Sequence, residues 1–157
     1  MKRPEQEGFS LTELLIALLI ILVVSAIAIP KVLETLEAYR LEAAATLLAS
    51  RLTEARMSAV KLNRLAWLAI EPDAGRFRVY STDPGSPGGP TALGPAEVLP
   101  AGLRFAEPTP GQIGFDALGR PAAMVSTPPF TVAVRVARSG LQKNVIVSPS
   151  GRIRTSP

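Results

Sequence analysis

Gly8-Phe9-Ser10-Leu11-Thr12-Glu13-Leu14-Leu15 opens the longest apolar run in the chain, and the reading of that run decides the fold. From Leu14 to Ile29 every residue is apolar except Ser25, and between Phe9 and Ile29 the other polar residues are Ser10, Thr12 and Glu13. At about 1.5 Å per residue, a helix over residues 9–30 spans roughly 30 Å, the hydrocarbon thickness of a bilayer. Lys2 and Arg3 flank it on the short side, so the positive-inside bias places residues 1–8 in the cytoplasm. The expectation is a single-pass inner-membrane protein whose remaining residues face the periplasm, or the cell exterior once exported.

A basic start, an apolar core and the small-residue run Ala26-Ile27-Ala28 also fit a secretory signal cut after Ala28. Glu13 argues against that reading. A carboxylate costs about 2.5–3.5 kcal/mol at mid-bilayer on insertion scales, less near the interface, and a disposable signal gains nothing from it. The pattern also continues past Pro30, as Lys31-Val32-Leu33-Glu34-Thr35-Leu36-Glu37, without a loop signal.

The stretch from Gly8 to Leu15 resembles the prepilin motif of type IV pilins and type II secretion pseudopilins. The resemblance implies cleavage between Gly8 and Phe9 by a prepilin peptidase, methylation of the new amino group at Phe9, and assembly with other pilins through Glu13. Pro30 falls where pilins commonly carry a helix-kinking proline. Physical chemistry gives these positions a reason. In lipid, or in the dry centre of a filament, an ionised Glu13 needs a partner, and the amino group freed at Phe9 of a neighbouring subunit can supply one. The competing reading has Glu13 snorkelling to the headgroups as a solvated charge. Pro30 removes a backbone hydrogen bond and so kinks or locally melts the helix, or else it marks only the exit from the membrane.

Residues 31–64 read as an amphipathic helix. Leu33, Leu36, Ala44, Leu47, Leu48, Leu52, Ala55, Ala59 and Leu62 recur at three- and four-residue spacing, with charged residues filling much of the remainder. Residues 65–157 change character. Ala66–Ile70 and Arg76–Tyr80 read as a hairpin, residues 81–95 as a Pro/Gly-rich loop, and further strands fall near residues 102–106, 112–115 and 131–137. A last hairpin pairs Lys143–Ser148 with Arg152–Thr155. The fold class is α+β: a long N-terminal helix, half transmembrane and half amphipathic, on a small antiparallel β-sheet domain.

This β domain is similar to the GspH/FimT group of minor pilins and pseudopilins. The similarity rests on the turn Phe115-Asp116-Ala117-Leu118-Gly119-Arg120-Pro121 and on Val145-Ile146-Val147-Ser148 followed by Gly151-Arg152-Ile153-Arg154. It implies a pilin fold, and either a place near the tip of a type II secretion pseudopilus or service in a type IV pilus. Some members of the second kind bind DNA during natural transformation through a Gly-Arg-x-Arg segment, which Gly151–Arg154 matches.

On a strand, Arg152 and Arg154 share a face while Ile153 points inward. Two guanidiniums about 7 Å apart can each engage a phosphate of double-stranded DNA, without regard to sequence and with a strong salt dependence. Lys143 on the partner strand, with Arg135 and Arg138, would widen the patch. The plainer reading is that the arginines solvate an edge strand and keep it from aggregating.

Composition narrows the classes. The chain has 157 residues, no cysteine, no histidine, 17 Lys+Arg against 13 Asp+Glu, and a net charge of +4. Thiol chemistry and zinc–thiolate sites are excluded, and the commonest general base and metal ligand are missing. No phosphate loop, nucleophile–base pair or metal-ligand cluster is legible, and Asp116 and Glu107 read as turn and surface residues. No enzyme activity, metal or cofactor is expected. Three functions stay open: a structural minor pilin, a DNA-capturing pilus component, and a secretion pseudopilin that contacts a protein substrate.

Overall fold

The computed structural model describes residues 10–82, 89–122 and 128–156. Helix α1 spans Leu11–Leu62, 52 residues, and the chain divides into two compact units between Glu37 and Ala38, within that helix. In the first unit the large apolar side chains from Leu11 to Val32 are all exposed. Pro30 lies inside α1. The helix is continuous on both sides of it, so the proline costs a backbone hydrogen bond without melting the turn.

In the second unit α1 buries one stripe: Leu41, Ala44, Ala45, Leu48, Leu52, Ala55 and Ala59. Leu33 and Leu36, foreseen on this stripe, are 45% and 40% exposed, and burial starts instead at Leu41. The helix stops in a Schellman motif. Asn63 takes a left-handed φ of 49°, its N–H donates to Val60 O (3.2 Å), and Arg64 N–H donates to Ala59 O (3.1 Å). Asparagine tolerates that conformation better than other residues with a side chain, and Lys61 sits favourably at the negative end of the helix dipole.

Where one antiparallel sheet was foreseen, there are two. The first has the order β3-β2-β1-β6-β7, with β4 also pairing β2. Here β1 is Ala66–Glu71, β2 Arg76–Ser81, β3 Thr91–Ala92, β4 Glu97–Val98, β6 Gln112–Phe115 and β7 Pro121–Ala122. Strands β3 and β4, and the first of them within the foreseen loop 81–95, are two residues each and lie along β2. Residues 83–88 of that loop lie outside the described residues. The second sheet has the order β10-β9-β8-β5, built from β5 Leu103–Ala106, β8 Phe130–Val136, β9 Gln142–Val147 and β10 Ile153–Ser156.

Both sheets turn one face to the same core. The period of two that made β8 legible reappears in its burial: Phe130, Val132, Val134 and Val136 are buried, while on the other face Thr131 is exposed, Arg135 half-buried and the small Ala133 buried. Val145 and Val147 of β9, Leu68 and Ile70 of β1, and Phe77 and Val79 of β2 join them around the α1 stripe in one cluster. Arg51 of α1 ties down the short strand β4 by bonding both Glu54 (2.6 Å) and Glu97. Those two hydrogen bonds hold its guanidinium above its ordinary pKa.

The turn after β6 is organised by Asp116. Its carboxylate accepts from Leu118 N–H (3.0 Å), Arg120 N–H (2.8 Å) and Arg120 Nε (3.0 Å). Partial burial pushes its pKa up, but these hydrogen bonds outweigh it and leave the pKa below the ordinary value. Gly119 closes the turn at φ 72°, and its N–H donates to Asp116 O (2.8 Å).

Two outcomes follow from this packing. Leu48→Ala, at a fully buried site, should destabilise the protein by about 2–5 kcal/mol, and Leu33→Ala by far less; urea unfolding in detergent checks both. Asp116 is depressed in the folded state, so its stabilisation is present above the unfolded carboxyl pKa and fades as pH falls through the folded one. Asp116→Asn should therefore lower the melting temperature at neutral pH, with the gap from wild type closing in strong acid.

Candidate functional site

Two regions carry the residues singled out from the sequence. The first is the N-terminal part of α1. Gly8 and Phe9 lie outside the described residues. Glu13 lies in the first helical turn, where the helix dipole favours an anion. From Leu11 to Val32 the large apolar side chains are more than half exposed, Leu11 at 79% and Ile27 at 64% among them. The helix contains an 18-residue window of mean hydropathy 2.8, none of it buried. A surface this apolar needs cover, from lipid or from other apolar helices.

The second region is the β9–β10 hairpin. Its turn is held by Ser148: Ser148 N–H donates to Arg152 O (2.9 Å), and Arg152 N–H donates to Ser148 Oγ (3.1 Å). Gly151 N–H donates to Ser148 O (2.8 Å), with Gly151 at φ 77°. A Cβ on Gly151 would sit 2.5 Å from Gly119 O and 3.1 Å from Arg56 Nε. Glycine is required twice over, by its dihedral and by this approach of two turns. Arg56, on α1, donates from Nε to Gly119 O (2.9 Å), so the helix, the Asp116 turn and the last hairpin meet at one point.

The arginines of the hairpin divide. Arg154 pairs with Ile146, which in turn pairs with Thr131, on the sheet face turned away from the buried valines. Ile153, opposite Val147, packs on the core as foreseen. Arg152 stands in the turn, one residue before β10, and lines an open cleft with Thr53, Arg56, Ser150 and Ile153. It is therefore not the second tooth of a strand comb.

Lys143 does not join this patch. It falls two residues before buried Val145 on β9, hence on the core-facing side, and its Nζ is bonded to Glu42 of α1. Strand alternation separates it from Arg154, and an ion pair occupies its charge. Arg135 does lie on the Arg154 face, directly opposite Arg104 of β5. Arg104 was missed, because its neighbour is set by strand pairing 31 positions away, which no local pattern reports. Among the described residues none of Arg56, Arg104, Arg135, Arg152 and Arg154 forms an ion pair.

Comparison with known proteins bears on both regions. Residues 3–29 match the prokaryotic N-terminal methylation motif, and residues 44–151 match the family described as type II transport protein GspH. The second match contains Arg56, Gly119 and Gly151 and stops before Arg152. No curated protein matches the chain. The fold is shared with the minor pseudopilin EpsH from the type 2 secretion system of Vibrio cholerae. That likeness has 17% identity and a TM-score of 0.60, covering 74% of this chain and 96% of that one. It is shared equally with the type IV minor pilin FimU of Pseudomonas aeruginosa, at 22% identity and a TM-score of 0.61, covering 77% and 91%. With the methylation motif on its apolar helix and the family's domain behind it, the chain belongs to the GspH family of type IV pilin-like proteins.

Proposed function

We propose that this protein is a minor pilin, made as a membrane prepilin and drawn by its N-terminal helix into a type IV pilus-like filament. The observation that carries the reading is the apolar stretch of α1, its large side chains exposed, with a single carboxylate at Glu13. Prepilin peptidase removes residues 1–8, leaving Phe9 as the methylated N-terminus. Until assembly the helix anchors the subunit in the inner membrane, N-terminus inward and β domain in the periplasm. In the filament Glu13 pairs with the Phe9 amino group of a neighbour, which removes the cost of an unpaired buried charge.

The finer part of the proposal is contact with double-stranded DNA, in the service of natural transformation. It is supported by exposed Arg152 and Arg154, which have no ion pair among the described residues, and by Arg104 and Arg135 on the Arg154 face. Such contacts hold phosphates and read no bases. The rival reading is a type II secretion pseudopilin that touches protein substrates and no DNA; the family's description and the likeness to EpsH favour it.

Co-expression with a prepilin peptidase should shorten the chain by residues 1–8 and add a methyl group, both read by intact mass. Gly8→Asp should leave the full-length mass, and Glu13→Gln should be cleaved yet fail to enter filaments. Cleavage at another bond would refute the assignment. For DNA, the full chain in neutral detergent should bind a duplex with an affinity that falls steeply with salt. Arg152→Gln/Arg154→Gln should weaken binding and lower the log–log salt slope by about 2. A folded protein that binds no duplex at low salt, in a strain whose protein export fails without it, would favour the pseudopilin.

A further inference from the structure

The cleft between α1 and the last hairpin has the makings of an anion site. It encloses about 520 Å³ and is lined by Thr53, Arg56, Ser150, Arg152 and Ile153, with no carboxylate among them. The acids on the surrounding elements are already engaged. Glu54 bonds Arg51, Glu42 bonds Lys143 and Asp116 bonds Arg120. Among the described residues, then, two guanidiniums share one cleft without a counter-charge, which is unfavourable until an anion enters.

Arg56 is held in place. Its Nε is committed to Gly119 O, and Gly151 presses against the same guanidinium where any side chain would collide. This fixes the plane of the fork and leaves the terminal nitrogens to a ligand, so little side-chain freedom is lost on binding. Thr53 turns its hydroxyl back to Ala49 O (2.8 Å) and contributes no competing donor. The base of the cleft is polar and hydrogen-bonded, while Arg152 is exposed and stands in the turn.

We infer that Arg56 and Arg152 form a seat for one tetrahedral phosphate-class anion, with Arg56 as its preorganised half. Guanidinium and phosphate match in charge and in paired hydrogen-bond geometry. As a seat for a phosphate of DNA, the cleft rests on the DNA reading above; as a seat for free phosphate it does not. Arg154, on the outward sheet face, belongs to a separate contact.

The test uses the full chain in neutral detergent with two probes: inorganic phosphate, followed by ³¹P line broadening, and a labelled 12-base-pair duplex, followed by anisotropy. Thr53→Glu places a carboxylate on the cleft lining while leaving Arg56, Gly119 and Gly151 themselves unaltered, and Arg152→Gln removes one charge from an exposed side chain. Each should reduce phosphate broadening about fivefold or more, while Arg154→Gln leaves it unchanged. Arg56→Gln should do the same as Arg152→Gln; should it unfold, the other two variants still decide, with circular dichroism confirming their fold.

Phosphate binding that is absent, or that persists in Thr53→Glu and Arg152→Gln, overturns the seat. Duplex binding that survives both variants and is lost in Arg154→Gln overturns the seat as a DNA contact, while leaving the DNA reading intact. Cleft-dependent phosphate binding without duplex binding keeps the seat and removes DNA as its source.

Discussion

A single stripe of α1, Leu41 to Ala59, closes the core of both sheets, and the β domain is organised around it. Four of its seven buried residues are alanines. The alanines add little bulk to the stripe, and Leu41, Leu48 and Leu52 supply most of its volume. The sheets bring complementary bulk, with Phe77, Phe105, Phe115 and Phe130 all buried. A larger residue at Ala45, Ala55 or Ala59, each with no exposed surface, would have to displace its packed neighbours.

Much of this was legible because the signals were local. The apolar run, its charged fifth residue after the glycine, and the alternation of β8 each announce themselves within a window of a few residues. The strands from Ala66 to Tyr80 and the final hairpin were legible for the same reason. What stayed hidden depends on pairing between distant segments. The split into two sheets follows from β6 pairing β1 and β5 pairing β8, across connections that periodicity does not report. The strands at Thr91–Ala92, Glu97–Val98 and Pro121–Ala122 are too short to show a period.

The candidate site shows the same boundary. That Ile153 faces inward was readable from alternation. That Lys143 is turned to Glu42 depends on the register of β9 against the helix, which was not. Gly151 is the more instructive residue. Beside two arginines it reads as part of a binding motif, yet its own surroundings explain it: two turns and Arg56 converge where a side chain would otherwise stand. The glycine shapes the site and the arginines supply its charge, so a motif of four letters combines two separate physical demands.

Among the described residues, every strand at a sheet margin is short: two residues in β3, β4 and β7, and four in β5 and β10. Long open strands invite pairing with copies of themselves, and short ones offer too few backbone groups to hold a partner. Such margins offer a neighbour little to pair with, and among the described residues the broadest apolar surface left open to contact is that of α1.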